Sequence, residues 1–141
     1  MPEIVVNYWA VVVAALAAMI IGSLWYAPFV FGKTWQKLVG LSDKQLKEAD
    51  KVTPMVAMVV LAIVQAFVLV HLIAYAKYFY PTATELSVGL LTAVWAWIGL
   101  VLPALGGSYF FAQRRKKLLI LDSVNILITL VVVSSILTVC N

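Results

Sequence analysis

The sequence predicts an all-α polytopic membrane protein, four transmembrane helices in one bundle, on three observations. Of its 141 residues 65% are hydrophobic and 11% charged, and the mean hydropathy is +1.05, far from the balance of a water-soluble domain. The charged residues are gathered into short segments, and the runs between them are long enough to cross a hydrocarbon core of about 30 Å. Nine of the ten Lys and Arg residues fall in two of the three connecting loops. A globule this small would expose contiguous apolar patches in water, so lipid is the expected solvent and residues 1–141 form a single membrane domain.

The first span is expected over residues 4–26, within a stretch free of charge between Glu3 and Lys33. Glu3 near the start and the ending Leu24-Trp25-Tyr26-Ala27-Pro28 do not suit a cleaved signal peptide, so this span is read as retained. Ala10, Ala14, Ala18 and Gly22 repeat every four residues along it, a smooth ridge that lets another helix approach closely. That neighbour belongs either to this chain or to another copy. Trp25 and Tyr26 suit the membrane interface, and Pro28 and Gly32 turn the chain along it toward Trp35.

The loop over residues 28–52 carries Lys33, Lys37, Lys44, Lys47 and Lys51. Trp35, Leu38 and Val39 fall at helical spacing, as on a short helix lying in the headgroup region. Ser42 with Gln45 has the pattern of a capping box for a second short helix. The second span is expected over 54–76, with Thr53 as N-cap and Pro54 at the first helical position. Gln65 near its middle and His71 beyond it need partners in a medium without water, and hydrogen bonding to neighbouring helices is the expected role of both.

Tyr75, Tyr78, Phe79 and Tyr80 form an aromatic belt before Pro81. Thr82 with Glu85 suggests a further capping box, opening a third span over 84–107 that Pro103, Gly106 and Gly107 interrupt. Trp95 and Trp97, separated by about 200° around the helix, must face different neighbours. Arg114, Arg115, Lys116 and Lys117 close the span, and the fourth runs over 118–139. Gly22, Pro28 and Gly32 before one basic loop echo Gly99, Pro103 and Gly107 before the other, as two parallel helical hairpins would.

The charge bias gives a direction. Five Lys lie between spans one and two and four basic residues between spans three and four, with Lys77 alone on the opposite side. Both basic loops are thus expected in the cytoplasm, facing anionic headgroups, with both termini outside and the protein in a cell (inner) membrane. Lipid at these loops is a nearer partner than nucleic acid. A lone Cys140 and a lone His71 supply no zinc-ligand set, and no metal or cofactor is expected.

Asp122 is the one formal charge inside a span, and Asn125 and Thr129 continue its face. It is the candidate functional site. The bland reading pairs it with Arg114, Arg115, Lys116 or Lys117 as an anchor, and its shallow depth favours that reading. No phosphate loop, HExxH motif or paired carboxylates are present to support an enzyme. Two functions stay open: a non-enzymatic, oligomeric scaffold or accessory subunit acting through helix packing, or an oligomeric small-solute or ion transporter or channel with a polar path near Asp122.

The run Gly22-Ser23-Leu24-Trp25-Tyr26-Ala27-Pro28, with Phe31-Gly32-Lys33-Thr34-Trp35 and Gly40-Leu41, resembles the opening signature of an uncharacterised bacterial membrane family, domain of unknown function 1761. Ser108-Tyr109-Phe110-Phe111 before Arg114-Arg115 is similar to the aromatic-basic segment ahead of that family's last helix. The resemblance implies a small four-span membrane protein and supplies no activity. Where it implies a Tyr-His pair shortly after the position matched by Asp122, this chain has Val124-Asn125-Ile126, so histidine-dependent chemistry is not carried over.

Overall fold

The computed structural model describes residues 3–140 as a bundle of helices with no strand among the described residues. In chain order these are α1 (Tyr8–Trp25), α2 (Gly32–Val39), α3 (Asp43–Glu48), α4 (Val52–Phe79), α5 (Glu85–Ala96), α6 (Leu102–Phe111) and α7 (Lys116–Val139), with one π-helical turn (Trp97–Val101) joining α5 to α6. Four stretches are long and apolar enough to cross a membrane: α1, α4, the continuous helix Glu85–Phe111, and α7. Their mean hydropathies lie between 2.0 and 2.7.

The helix starts differ from the sequence expectation at three places, each through a side chain that reaches the orphan N–H groups of a first turn. Span one becomes helical at Tyr8 rather than Ile4, because Asn7 accepts hydrogen bonds from the backbone of Trp9 and Ala10. At α4 the acceptor is Asp50, which takes the N–H groups of Val52 and Thr53, so Thr53 is already inside the helix. At α5 the cap is Thr84, accepting from Ser87, rather than Thr82. The capping box of α3 forms as expected, with Gln45 N–H on Ser42 Oγ and Ser42 N–H on Gln45 Oε1.

The third span also runs past its expected end at residue 107. Gly106 and Gly107 stay helical, and the helix continues to Phe111. Pro103 has no N–H to give to the carbonyl four residues back and its ring crowds that turn. The chain accommodates it by widening just before, where Leu102 N–H bonds to Trp97 O, the five-residue spacing of a π turn. By contrast Pro28 lies in the elbow after α1, outside any helix. The two Gly-Pro-Gly segments therefore have different local structures, although the chain still divides into two helical hairpins, α1 with α4 and Glu85–Phe111 with α7.

Around the bundle α1 packs on α4 and α7, and α5 packs on α7 more closely than on α4. Small residues set these approaches, because lipid removes the hydrophobic drive between helices and leaves van der Waals contact to hold them. Ala10 and Ala14 of the small-residue ridge are buried inside this chain, and Ala18 packs against the same core. This part of the ridge is thus covered within the same molecule, whereas an added Cβ at Gly22 would meet nothing within 4 Å. Gly89 allows the tightest crossing: a Cβ there would lie 2.6 Å from Thr138 Cγ2 and 3.3 Å from the Ser134 carbonyl oxygen. At the end bearing the termini, Asn7 Nδ2 also donates to Cys140 O at 2.7 Å, tying the start of α1 to the end of α7.

Candidate functional site

At the opposite end of the bundle, three spans meet at Asp122. The acid stands seven residues into α7, half-buried. Tyr26, in the first residue after α1, donates its hydroxyl to Asp122 Oδ1 at 2.6 Å. Tyr109, in the last turn of α6, donates to Oδ2 at 2.5 Å. Each carboxylate oxygen thus receives one phenol proton, a short charge-assisted pair of the kind that offsets burying an acid.

The expected pairing of Asp122 with Arg114, Arg115, Lys116 or Lys117 is not what the structure shows. Those four side chains are exposed at the start of α7, and the one ion pair among the described residues joins Lys77 to Glu85, 3.0 Å apart across the α4–α5 turn. Arg114 instead stacks on the Tyr109 ring, with Cζ 5.4 Å from the ring centroid. The reason is direction: a helical side chain leans over one face, and Asp122 faces α1 and α6 while the basic residues sit at the free end of the helix.

The elbow after α1 is what delivers Tyr26. Its backbone is wound tightly by Phe31 N–H on Trp25 O and by Val30 and Gly32 N–H on Ala27 O. Gly32 is required for close approach here, since a Cβ would fall 2.8 Å from both the carbonyl carbon and oxygen of Ala27. Trp25 packs on Phe31 with ring centroids 4.5 Å apart, and Tyr26 meets Trp35 of α2 edge-on at 6.0 Å. Pro28 is exposed in this turn, and Lys33 and Lys37 point away from the bundle.

One turn beyond Asp122 the polar line continues. Asn125 is half-buried, its side-chain oxygen enclosed without a partner, and it interacts with the Tyr26 hydroxyl. Thr129 is satisfied within its own helix by Asn125 O at 2.9 Å. Trp97 supplies a further crosslink, donating its indole N–H to the Ser123 carbonyl at 2.7 Å. Trp95, two residues earlier, faces outward and is 70% exposed, so the two tryptophans do part company as their spacing requires.

The other candidates lie elsewhere. His71 bonds through Nδ1 to Phe67 O of its own helix at 2.7 Å and rests on the Phe67 ring at 4.6 Å, so its expected bond to another helix is replaced by one within α4. Gln65 is half-buried mid-way along α4. Neither is brought to Asp122. No group of three or more metal-binding side chains occurs among the described residues.

The aromatic residues around this acid are those that carried the resemblance, and the comparison with protein families covers them. A family described as a protein of unknown function, DUF1761, matches residues 9–138. The chain belongs to that family. For DUF1761 the description assigns no activity, so the chemistry of the Tyr26–Asp122–Tyr109 site has to be argued from its geometry. No curated protein and no solved structure matches the chain.

Proposed function

We propose that this DUF1761 protein is a non-enzymatic membrane scaffold or accessory subunit, acting through helix packing and through association with further copies or another membrane protein. The observation that carries this reading is the state of Asp122: both of its oxygens are taken by tyrosines from two other spans. An acid so engaged fastens α1 and α6 to α7, and a passing solute would have to compete with two phenols for it. The exposed Trp95 and an apolar groove of about 490 Å³ between α4 and α5, lined by Leu72, Ala76, Leu91 and Trp95 among others, provide lipid-facing surface for a neighbour.

The distribution of Lys and Arg supports an orientation with both basic loops in the cytoplasm, beside anionic headgroups, and both termini outside, in a bacterial inner membrane. The transporter or channel reading draws on one observation, the enclosed and unpartnered Asn125 oxygen next to Tyr26. Asp122→Asn separates the two. In sealed vesicles the scaffold reading expects ion and small-solute flux indistinguishable from empty vesicles for both proteins, with the variant unfolding at lower temperature. Flux that wild type supports and the variant loses would establish the transporter. A strictly monomeric particle that copurifies with no partner would remove the scaffold.

A further inference from the structure

We infer that the cleft between the end of α2 and the start of α7 binds a phosphate group, presented by an anionic lipid headgroup. The cleft has a volume of about 390 Å³ and is walled by Leu38 and Val39 on one side and by Gln113, Arg114, Arg115 and Leu118 on the other. It lies where α6 ends and α7 begins, hence at a membrane surface whichever way the protein is oriented.

Its charge is uncompensated. Arg115 makes no ion pair among the described residues, and Arg114 makes only its contact with the Tyr109 ring. The nearest acid in sequence, Asp122, is already engaged by Tyr26 and Tyr109. Both arginines line the cleft with guanidinium donors that no carboxylate takes up, the group whose planar fork grips a phosphate through paired hydrogen bonds. The first turn of α7 adds to this: Arg115, which lines the cleft, is its N-cap and no side chain caps the turn, so the positive end of a 24-residue helix begins at the cleft.

The loop is held in a form that serves such a site. Among the described residues Gln113 is the one non-glycine with positive φ, +56°, a backbone state that residues other than glycine rarely adopt. It is fixed by Gln113 N–H on Phe110 O and Arg114 N–H on Tyr109 O, which places Gln113, Arg114 and Arg115 together on the cleft. The floor is Leu118, 2% exposed, and with Leu38 and Val39 it gives an apolar ledge. A free phosphate has no use for that ledge, whereas the glycerol and first methylenes of a phospholipid do.

The test uses the full-length protein in neutral detergent, titrated with phosphatidylglycerol, phosphatidylcholine or inorganic phosphate, with retained lipid counted by native mass spectrometry and thermal unfolding read in parallel. Phosphatidylglycerol should bind about tenfold more tightly than phosphatidylcholine and raise the unfolding temperature, and the preference should shrink as salt rises. Arg115→Gln should lose about tenfold of that affinity, Arg115→Lys less, and Lys33→Gln with Lys37→Gln, on the other side of α2, should retain it. Since the Arg115 side chain is exposed and makes no ion pair among the described residues, its variants should leave the bundle folded, which the unfolding curve without lipid checks. Stabilisation by inorganic phosphate alone, equal to that by phosphatidylglycerol, would assign the anion to solution and overturn the lipid. Equal binding of both lipids, or an unchanged preference in Arg115→Gln, would overturn the site.

Discussion

At the scale of single residues, Asp122 is held by what surrounds it rather than by the nearest opposite charge. Two phenols from different spans each bond one of its oxygens, and the four cations nearer the start of the helix stay exposed, Arg114 over the Tyr109 ring. Removing either hydroxyl should therefore cost stability with little change in shape. Tyr26→Phe and Tyr109→Phe are each expected to lose about 1.5–3 kcal/mol, the usual worth of a hydrogen bond to a charged group. Because both act on one carboxylate, the double variant should depart from the sum of the singles, read in a cycle of unfolding measurements. In the sequence, Asp122 stood out as the one charge inside a span, Tyr26 as an interfacial aromatic, and the segment around Tyr109 only through the family resemblance. That these three meet was not legible, because contact depends on how each helix is rotated about its own axis, and in uniformly apolar spans no periodicity records that rotation. The bond from Trp97 to Ser123 was hidden for the same reason: the spacing puts Trp95 and Trp97 on different faces without recording which of them meets α7.

At the scale of elements, existence was read more securely than boundaries. Four apolar runs and a capping box at Ser42 were plain in the sequence, since span length and a serine-to-glutamine spacing are one-dimensional signals. The starts of α1, α4 and α5 moved because Asn7, Asp50 and Thr84 compete with neighbouring polar residues for the same N–H groups, a contest decided by local backbone geometry. The Asp50 cap has a pH signature. The bonds from Thr53 and from the backbone of Val52 and Thr53 hold its carboxyl below the ordinary value of 3.8. A group whose folded pKa is depressed stabilises the fold above its unfolded pKa and loses that contribution as pH falls through the folded one. The first turn of α4 should thus fray on acidification below about pH 4, seen as backbone amide shifts at Val52 and Thr53, and Asp50→Asn should remove the pH dependence. Along α5 the tight crossing at Gly89 makes a second expectation. Gly89→Val forces α5 away from Ser134 and Thr138 and should lower stability by about 1–3 kcal/mol, measurable by chemical unfolding in detergent, whereas Gly99→Val, with nothing within 4 Å of its added Cβ, should be mild.

At the scale of the whole molecule, the two ends of the bundle are unlike. One end holds both termini, joined by Asn7 and Cys140, and a single compensated cation, Lys77, bonded to Glu85 and to the Ala83 carbonyl. The other holds the elbow of Trp25 to Trp35, the acid between two tyrosines, and the uncompensated basic turn before α7. This asymmetry was legible from charge alone. What the sequence left open was whether the small-residue ridge of α1 served this chain or another, and packing answers it for Ala10 and Ala14, which are buried against their own neighbours, while Gly22 at the far end of the ridge faces open space. A density map of the protein in lipid shows whether Asp122 clasps three spans. Both tyrosine hydroxyls should lie within about 3 Å of the Asp122 oxygens, with Arg114 to Lys117 turned to the membrane surface. A carboxylate opening onto a water-filled path, or paired with those basic side chains, would contradict it.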